Sequence, residues 1–470
     1  MISKSSLWSA QQISKSVNGE LSGKADVQIS GIGTDTRDDL EDCLFVALAG
    51  ERFDAHDFVD TAISNGAVAC LVDSSRVSAE LKEQLSKKCA FISVPDTLTA
   101  LGDLAHAHRT ESNATMIGLT GSNGKTTTKE MIASILSEEF ETLKTEGNYN
   151  NLIGLPMTLL RLNQEHECGV IEMGMNARGE IRRLAEVTEP EVRLITNIGP
   201  AHIGELGSIE QIALAKAEIF EGVRPADTAV YPKDEALLED LLPTSCKLMS
   251  FGNQEDADVS AVSLRHHDAG QDILVRGPEF SFEVTLPYPG IHNATNAAAA
   301  VASVIASRPN IKTSSIKSGL EKVANAARRL ELTEVGSFLV VDDCYNANGD
   351  SMVAAVQTVS AIAKKDNRRW VAVLGEMREL GEWSSSEHRR VGATLAQCGV
   401  DVVAAFGKDA AEILNGVNSD KPQQRYEELD MNNLCDWVIA QLQPGDIILV
   451  KGSRGSRMER FIERLKSEVE

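Results

Sequence analysis

The sequence predicts an α/β protein with mostly parallel sheets, and three observations lead to this fold class. Short apolar runs, which are typical of strands, alternate with amphipathic helical patterns along most of the 470 residues. One glycine-rich segment lies directly between such a strand and such a helix. Hydrophobic residues make up 42% of the sequence and charged residues 24%, which is typical of a globular protein with sizeable cores.

The length of the chain predicts about three domains, at roughly 150 residues per domain. We expect these domains to cover residues 1–100, 101–327 and 328–470. In the first domain the predicted strands are short and polar turns separate them. Their sequences are LFVAL, AVACLVD and AFISV.

The second section of the chain begins with a predicted helix, which strand TMIGLT, the glycine loop and a helix from Lys125 then follow. The strands GVIEM, VRLITNI and TAVYP continue the α/β alternation. Three runs with a period of two, VSAVSLR, QDILVRG and FSFEVTL, then predict a small antiparallel sheet. An alanine-rich helix over residues 293–307 follows this sheet.

The third section returns to the α/β rhythm of the second. Its predicted strands are FLVVDD, WVAVLG, DVVAAFG and DIILVKG. Since helical patterns separate these strands, they predict a further, mostly parallel sheet.

The chain is acidic, because 69 Asp and Glu residues outnumber 46 Lys and Arg residues and give a net charge of −23. Nucleic acids and anionic membrane surfaces attract positively charged proteins, so we expect neither as a partner. A phosphate ligand needs only a local site and is not excluded. The most apolar stretch, residues 297–306, is too short to span a bilayer, and the first residues lack the apolar segment of a signal peptide. We therefore expect a cytoplasmic protein.

The cysteines and histidines form no recognisable metal-binding motif in the sequence. The eight cysteines occur singly, without a CxxC pair, which predicts reduced thiols rather than a zinc site or a redox dithiol. His106 and His108 lie on a predicted helix, where residues two apart do not share a face. We therefore interpret both histidines as structural.

The strongest local signal is the segment TGSNGKTT between strand TMIGLT and the helix that follows. Glycines let backbone N–H groups face phosphate oxygens, a lysine reaches the β- and γ-phosphates, and a hydroxyl holds Mg²⁺. Leu119 stands where the strict pattern has glycine, so the match is to a shorter variant. The alternative, a glycine turn with a solvated lysine, does not explain the adjacent Lys–Thr pair. The predicted phosphate-binding residues are Gly121, Ser122, Asn123, Gly124, Lys125, Thr126 and Thr127.

Three further polar residues follow successive strands or helices beyond this loop. Glu172 ends strand GVIEM, His202 follows strand VRLITNI, and Lys216 lies on the next helix. Taken singly, each has an ordinary interpretation as a loop carboxylate, a turn histidine or a solvated lysine. Their placement after a phosphate loop makes the carboxylate and the imidazole candidate Mg²⁺ ligands near a transferring phosphate, although Mg²⁺ prefers oxygen.

Seven motifs occur in the order seen in Mur ligases, and over essentially its whole length the chain resembles that family. The motifs are TGSNGKTT, EGNYNNLIGLP, IEMGMNARGEI, TNIGPAHIGELGS with AKAEIF, GIHNATNAAAA, ARRLEL and VDDCYNANGDSM. The resemblance implies a three-domain architecture with a UDP-muramoyl-peptide-binding N-terminal domain. It also implies a central P-loop ATPase domain and a Rossmann-like C-terminal domain.

The activity implied by the resemblance is ATP-dependent amide formation through an acyl phosphate. The segments DDCYNAN at 342–348, LGEMRELG at 374–381 and VKGSR at 450–454 favour the member that joins D-alanyl-D-alanine to UDP-N-acetylmuramoyl-tripeptide in peptidoglycan synthesis. The implied partners are these two small molecules, ATP and Mg²⁺, and the implied oligomeric state is a monomer. Another amino-acid-adding Mur ligase, a folylpolyglutamate synthase-like ligase and a P-loop ATPase without ligase activity remain alternatives.

The resemblance also implies roles for individual residues. Lys125, His202 and Lys216 are the implied catalytic residues, with Lys216 matching a lysine that is carbamylated in the family. The implied metal ligands are Thr126, Glu172 and His202. The implied nucleotide-binding residues beyond the loop are Asn293, Asn296, Arg329 and Asp343.

The substrate-binding residues implied by the resemblance fall in four segments. For Arg52 and Asp54 a surface ion pair is the alternative, and for residues 451–454 a solvated basic helix start. The segments contribute Thr36, Arg37, Arg52, Asp54 and His56; Asn148, Asn150 and Asn151; Tyr345, Asn346 and Asn348; and Lys451, Ser453 and Arg454.

Two residues depart from the pattern of the family. Gly349 stands where the family often has proline, which predicts a more flexible turn there. Cys43 stands where the first-domain motif usually has glycine, and a cysteine would be strained there if the position required a positive φ.

Overall fold

The computed structural model describes residues 8–50, 53–267, 270–324, 328–417 and 424–469. The chain forms two compact units. The first unit contains residues 1–118, 140–175 and 180–190, and the second contains residues 119–139, 176–179 and 191–470.

The strands and helices alternate along the described chain, as the sequence predicts. The strands are β1 (Trp8–Ser9), β2 (Glu20–Ser22), β3 (Gln28–Ile29), β4 (Gly31–Gly33), β5 (Cys43–Val46), β6 (Ala69–Asp73), β7 (Ala90–Val94), β8 (Thr115–Thr120), β9 (Thr142–Lys144), β10 (Cys168–Glu172), β11 (Val192–Ile195), β12 (Thr228–Pro232), β13 (Lys247–Gly252), β14 (Val259–His267), β15 (Gly270–Gly277), β16 (Phe280–Leu286), β17 (Glu331–Val335), β18 (Phe338–Asp343), β19 (Trp370–Gly375), β20 (Val402–Phe406), β21 (Gln424–Glu428) and β22 (Ile447–Lys451).

The α-helices are α1 (Ala10–Ser16), α2 (Val59–Ser64), α3 (Ala79–Leu85), α4 (Thr97–Thr110), α5 (Lys125–Leu136), α6 (Gly154–Leu159), α7 (Glu180–Thr188), α8 (Ile203–Leu206), α9 (Ile209–Ala217), α10 (Ile291–Ser307), α11 (Thr313–Lys322), α12 (Gly349–Lys365), α13 (Ser384–Cys398), α14 (Ala411–Gly416), α15 (Met431–Gln441) and α16 (Glu459–Val469). Short 3₁₀ segments lie at Ala55–Phe58, Glu218–Phe220, Ala236–Leu241, Gly381–Trp383 and Arg454–Ser456.

The first unit contains a five-stranded sheet in the order β2-β7-β6-β5-β4. Strands β4 to β7 pair in parallel, and only the edge strand β2 runs antiparallel to its neighbour. Strands β5, β6 and β7 are almost wholly buried, which explains why their sequences are continuously apolar rather than alternating. Elsewhere in this unit, α4 packs against α6 and α7, and β9 pairs in parallel with β10.

Part of the second unit is a run of strands in the order β16-β15-β14-β13-β12-β11. Strands β11 to β14 pair in parallel, whereas β14, β15 and β16 form the predicted antiparallel part. The alanine-rich helix α10 packs on β13 and β14 and against α5. Small side chains let α10 approach these elements closely, and its central residues are fully buried.

The second unit also contains a six-stranded sheet in the order β17-β18-β22-β19-β20-β21. All of its pairs are parallel except β17 with β18. Helix α12 packs on β22 and on α13, and α15 packs against α16. Since this sheet is parallel and its strands alternate with helices, it matches the predicted C-terminal α/β section.

The cysteines, the helices and His108 can be compared with what the sequence predicts for them. All eight cysteines lie in the described ranges, and none is joined in a disulfide. Within those ranges no helix has the length and apolar character needed to span a bilayer. His108 is buried, and its Nε2 lies 2.9 Å from the carbonyl oxygen of Leu162, so its interpretation as structural is confirmed.

Candidate functional site

The phosphate loop lies between β8 and α5, where the sequence predicts it. Gly124 precedes the first residue of α5 in a left-handed conformation, with φ of 78°. A Cβ at Gly124 would lie 2.4 Å from Oδ1 of Asn296, and one at Gly121 would lie 1.9 Å from Oγ1 of Thr196. Both glycines are therefore required by close packing as well as by backbone conformation.

Asn197, which was not predicted as a site residue, holds the phosphate loop through hydrogen bonds. Its Oδ1 accepts the backbone N–H groups of Ser122 at 3.1 Å and Asn123 at 2.8 Å. The hydroxyl of Ser122 donates to the carbonyl oxygen of Gly199 at 2.8 Å. These bonds fix the loop to the end of β11, so its shape is set before any ligand arrives. The only sequence signal for Asn197 is its place directly after a strand.

Lys125 begins α5 and turns back over the loop. Its Nζ donates to the carbonyl oxygen of Gly121 at 2.7 Å and lies 3.4 Å from that of Ser122. The positive charge therefore stands at the N-terminus of a helix, where both the charge and the helix dipole attract anions.

Lys216 lies on α9 and is 2% exposed. Burial lowers the pKa of its amine well below the usual lysine value, and the nearby charge of Lys125 lowers it further. No Asp or Glu of the described ranges lies within ion-pair distance of Lys216. The amine is therefore a buried base that is easily held neutral.

His202 precedes α8 and has a left-handed backbone, with φ of 61°. Its Nδ1 is buried and, within the described residues, makes no well-aligned hydrogen bond, although Oε2 of Glu379, which follows β19, lies 2.8 Å away. The contact with the imidazole lowers the pKa of the Glu379 carboxyl group. Glu379 belongs to the LGEMRELG segment, but no pattern in the sequence predicts that it lies next to His202.

Arg329 reaches the phosphate loop from the segment that precedes β17. Its guanidinium donates to the hydroxyl of Thr126 at 2.9 Å and lies 4.1 Å from the ring centroid of Tyr345. The predicted nucleotide-binding arginine is thus in contact with the hydroxyl predicted to hold Mg²⁺.

Asn348 makes a second contact with the loop. Its Nδ2 donates to Oδ1 of Asn123 at 2.8 Å, and its Oδ1 caps α12 by accepting the N–H of Ser351. Gly349 is the first residue of that helix, so it lies in regular structure rather than in a flexible turn. A Cβ on Gly349 would lie 1.8 Å from Oε2 of Glu387.

Asp343 and Lys451 form a buried ion pair, with Oδ2 and Nζ 2.7 Å apart. Burial raises the pKa of Asp343 although Lys451 and Arg329 oppose the change. Lys451 also donates to the carbonyl oxygen of Asn346 at 2.9 Å. Lys451 is 2% exposed. Its charge compensates the buried charge of Asp343, and its hydrogen bond to Asn346 holds the loop that follows β18.

Asn293 and Asn296 are buried at the start of α10 and bond to each other, from Nδ2 of Asn296 to Oδ1 of Asn293 at 2.9 Å. Asn293 also donates to the carbonyl oxygen of Pro289 at 2.7 Å. Their neighbour His292 was not predicted. Burial, aided by the charge of Lys451, lowers the pKa of His292 to about 4.

Several of these residues line one cavity of about 190 Å³ in the second unit. The cavity is lined by residues that were predicted for the phosphate loop, the metal site and substrate binding. Arg378 and Glu379, which were not predicted, also line it. Its lining includes Ser122, Lys125, His202, Asn346, Asn348, Arg378, Glu379, Ser453 and Arg454.

In the first unit, Glu172 ends β10 and is 2% exposed. Its Oε1 accepts Nδ2 of Asn150 at 2.8 Å, so two predicted site residues are in direct contact. Oδ1 of Asn151 accepts the N–H of Gly154, the first residue of α6, at 2.8 Å, whereas Asn148 is exposed.

Asp54 and His56 are tied together in the N-terminal part of the first unit. Nδ1 of His56 lies 2.6 Å from Asp54, and Nε2 of His56 accepts the N–H of Asp73. Burial raises the pKa of Asp54, but bonds from His56 and Arg76 outweigh this effect and hold it at about 2. Among the described residues, Asp54 pairs with both His56 and Arg76, each at 2.6 Å.

The other predicted residues of this segment make local contacts. Arg37 is exposed and pairs with Asp35, and Thr36 accepts a hydrogen bond from Asn65 through its carbonyl oxygen. Arg52 lies outside the described residues. Cys43 begins β5 without a positive φ; the left-handed residue is the preceding Asp42, with φ of 59°.

Three family models match consecutive parts of the chain. The Mur ligase family catalytic domain matches residues 28–109, the Mur ligase middle domain matches 119–304, and the Mur ligase glutamate ligase domain matches 328–454. The UDP-N-acetylmuramoyl-tripeptide–D-alanyl-D-alanine ligase of Escherichia coli (strain K12) is 39% identical, and the match covers 97% of each chain.

Solved structures give the same result. MurF from Acinetobacter baumannii matches with a TM-score of 0.90 and 35% identity, covering 99% of this chain and 100% of the other. MurF ligase from Thermotoga maritima, solved in complex with ADP, matches with a TM-score of 0.81 and 27% identity over 93% and 97% of the two chains.

Proposed function

The chain belongs to the Mur ligase family, and from this membership we propose that it joins D-alanyl-D-alanine to UDP-N-acetylmuramoyl-tripeptide with ATP. The observation that carries this function is the full-length similarity to enzymes named for that reaction. The braced phosphate loop, with Lys125 at the start of α5, supports the use of ATP.

The proposed reaction has two steps. The terminal carboxylate of the tripeptide attacks the γ-phosphorus of ATP, ADP leaves, and an acyl phosphate forms. The free amine of D-alanyl-D-alanine then attacks the acyl carbon, loses a proton, and expels inorganic phosphate as the amide forms. Positioning of the reactants contributes roughly 7–11 kcal/mol to lowering such barriers.

Lys125 and the backbone N–H groups at the start of α5 are proposed to hold the transferring phosphate. Arg329 donates to Thr126, so its guanidinium charge is also present at the loop. Asn296 packs closely against Gly124 of the loop and is bonded to Asn293, and we propose that this segment of α10 borders the adenine. Asp343, through its pair with Lys451, holds the neighbouring loop in place.

We propose Mg²⁺ as the cofactor, with Thr126, Glu172 and His202 as its protein ligands. The chemistry of these donors fits, since a hydroxyl and a carboxylate are oxygen ligands and an imidazole is an acceptable third. No cluster of three His, Cys, Asp or Glu side chains is found in the described ranges. When bound, Mg²⁺ neutralises the charge that develops on the phosphate oxygens.

We propose that Lys216 is carbamylated. A neutral amine adds CO₂ and releases a proton, and the low pKa of Lys216 favours the neutral amine. The product is an anion beside the ammonium of Lys125, which stabilises it. A carbamate thus converts an unfavourable pair of like charges into a favourable pair of opposite ones.

The remaining proposals concern the domain bounds, the location and oligomeric state, and the substrate contacts. The domains are proposed to cover residues 1–100, 101–327 and 328–470, and the enzyme is proposed to be a cytoplasmic monomer. The N-terminal segment with Thr36, Arg37, Arg52, Asp54 and His56 is proposed to bind the UDP-linked substrate. The remaining proposed substrate contacts are Asn148, Asn150, Asn151, Tyr345, Asn346, Asn348, Lys451, Ser453 and Arg454.

The function is tested by measuring phosphate release from ATP with each substrate omitted in turn. We expect release only when UDP-muramoyl-tripeptide and D-alanyl-D-alanine are both present, with the pentapeptide product identified by mass spectrometry. Release with a single amino acid in place of the dipeptide would indicate another amino-acid-adding ligase. Equal turnover without either substrate would indicate an ATPase and contradict the proposal.

A further inference from the structure

Arg378 belongs to the second unit and lines the cavity, although it was not predicted as a site residue. We propose that its guanidinium binds the C-terminal carboxylate of the acceptor dipeptide, so that Arg378 is a specificity-determining residue for D-alanyl-D-alanine. The inference rests on the proposed function, because it assigns one end of the proposed acceptor to one side chain.

The first observation is the place of Arg378 in the fold. Strands β18, β22 and β19 are adjacent and parallel, and the cavity is lined by residues that follow the carboxyl end of each strand. Ligands of open α/β sheets bind at this edge. Arg378 follows β19, whereas Ser122 and Lys125 line the cavity from the phosphate loop. A molecule that fills the cavity therefore contacts both the phosphate loop and the sheet edge that carries Arg378.

The second observation concerns charge. In the proposed reaction the cavity receives phosphate groups, and the acceptor brings a carboxylate that these groups repel. A cation away from the phosphate loop compensates such a carboxylate. Arg378 and Arg454 line the cavity, and both follow strands of the six-stranded sheet. The acceptor is therefore favoured with its amine toward the phosphate loop and its carboxylate toward these arginines.

The third observation distinguishes the two arginines. Arg454 donates to Glu459 through Nη1, one of the two terminal nitrogens that form a fork around a carboxylate. Arg378 donates to Oε1 of Glu376 through Nε, at 3.1 Å. Within the described residues, Nη1 and Nη2 of Arg378 have no hydrogen-bond partner. The charge of Arg378 is shared with Glu376, but its fork is left for a ligand.

The fourth observation is that the guanidinium has a space of its own. The three atoms nearest to a Cβ built on Gly455 all belong to the guanidinium of Arg378, and Nη1 is the closest at 2.2 Å. Gly455 does not have a positive φ, so its backbone conformation does not require glycine. The missing side chain of Gly455 instead leaves the space that the guanidinium occupies. A side chain that is already ordered loses less conformational entropy when it binds a ligand.

The loop that carries Arg378 is also held through its backbone. The N–H of Arg378 donates to Oγ of Ser453 at 2.9 Å. Glu379, the next residue, has a left-handed backbone with φ of 65°, and its carbonyl oxygen accepts the N–H of Gly204 at 3.0 Å. Neither contact uses the guanidinium. The loop therefore presents the guanidinium without occupying its fork.

The inference is tested by combining a change in the protein with a change in the acceptor. The two acceptors are D-alanyl-D-alanine and D-alanyl-D-alaninamide, which has the same amine but no carboxylate. We expect Arg378→Gln to lower kcat/KM for D-alanyl-D-alanine about 10–100-fold through a higher KM, and to change kcat/KM for the amide by less than about threefold. The amide can be measured below saturation, and its turnover shows that the variant is folded.

Arg389→Gln is the matched control for the loss of an arginine. The side chain of Arg389 is 58% exposed, against 56% for Arg378, and its Nε also donates to a glutamate. Arg389 lies on α13 and is not part of the cavity lining. We expect this variant to use both acceptors like the unchanged protein.

Gly455→Ala tests the position of the guanidinium independently. Its methyl group enters the space where the guanidinium of Arg378 lies. We expect a lower kcat/KM for D-alanyl-D-alanine when Gly455→Ala is made in the unchanged protein, and little further loss when it is made in Arg378→Gln. Losses that add in full would contradict the inference, because Gly455 would then act without Arg378.

Two other results with Arg378→Gln would overturn the inference. Equal losses for the dipeptide and the amide would show that Arg378 has a structural role. A kcat/KM for D-alanyl-D-alanine within about twofold of that of Arg389→Gln would show that Arg378 does not bind the acceptor. Absence of ligation by the unchanged protein with either acceptor would instead contradict the proposed function, and this result is seen before any variant is compared.

Discussion

At the scale of single residues, the two lysines of the second unit have opposite surroundings. Lys125 donates to the carbonyl oxygen of Gly121 and stands at a helix N-terminus. Lys216 is buried, and its amine has a lowered pKa. Lys125 is thus placed to face an anion at the helix N-terminus, whereas Lys216 is suited to react as a neutral amine.

Lys125→Ala is expected to abolish ATP-dependent ligation, because the loop loses the charge that faces the phosphate. The loss should be roughly 100-fold or more, as for other groups that stabilise charge in a transition state. Phosphate release in the presence of both substrates gives the rate, and circular dichroism checks the fold. Lys317→Ala, on the exposed face of α11, is the control. Near-normal ligation by Lys125→Ala would contradict its role.

Lys216→Ala is expected to be largely inactive and to recover partly when formate or acetate is added. A small carboxylate replaces the anionic oxygens that the carbamate would supply. The rate is measured against carboxylate concentration, with Lys125→Ala as the variant that should show no recovery. If Lys216→Ala ligates normally, the lysine has no part in the reaction.

His292 predicts a loss of stability in mild acid. Its pKa is about 4 in the fold, whereas an unfolded histidine titrates near 6.5. Between these values the unfolded chain binds more protons, so the contribution of His292 is complete above about pH 6.5 and is lost as the pH falls toward 4. Thermal unfolding between pH 7 and 4.5 should therefore show a smaller fall in Tm for His292→Gln than for the unchanged protein. His106→Gln, on the partly exposed face of α4, should leave the profile unchanged.

At the scale of elements, most of the buried strands were predictable and several of the edge strands were not. The run TMIGLT corresponds to β8, and FLVVDD and WVAVLG correspond to β18 and β19. β8 and β19 are buried along almost their whole length and β18 at its centre, so these runs are largely apolar. The strands β9, β17 and β21 were missed because they are short or polar and lie at sheet edges, where one side of the strand needs no apolar partner.

The crossing of α13 and α14 depends on a glycine inside a helix. A Cβ on Gly392 would lie 2.0 Å from the carbonyl oxygen of Ile413 and 2.9 Å from Cα of Gly416. Alanine is normally the better helix former by about 1 kcal/mol, but here the backbone of α14 would have to move. Gly392→Ala should therefore destabilise the protein, by about 1–3 kcal/mol.

Urea unfolding of Gly392→Ala measures this change in the free energy of unfolding. The matched variant is Gln397→Ala, on the exposed face of the same helix, which should stay within about 0.5 kcal/mol of the unchanged protein. An increase in stability for Gly392→Ala would show that the two helices separate easily.

At the scale of the whole molecule, the site is assembled from segments that are far apart in the sequence. Arg329 and Thr126 are 203 residues apart, and Asn348 and Asn123 are 225 residues apart. The motifs predicted that these residues belong to one site, but not which atoms meet. Pairings such as Glu379 with His202 depend on loop conformations, for which periodicity carries no information.

The net charge of −23 predicts that copies of the protein repel one another at low salt. We therefore expect a monomer with a mass near 50.7 kDa by size-exclusion chromatography with light scattering. The measurement is repeated at 0.5 M salt, where such repulsion is screened, and the monomer should persist. A mass near twice this value at low salt would contradict the proposal.

The left-handed backbone at His202 and Glu379 has a consequence for selection. Glycine adopts this conformation without steric cost, so a chain under pressure for stability alone gains by placing glycine at both positions. Glycine at both positions, however, removes the imidazole of His202 and the carboxylate of Glu379. Mutational libraries that are screened for heat resistance should therefore enrich glycine at these two positions, whereas libraries screened for growth should eliminate it.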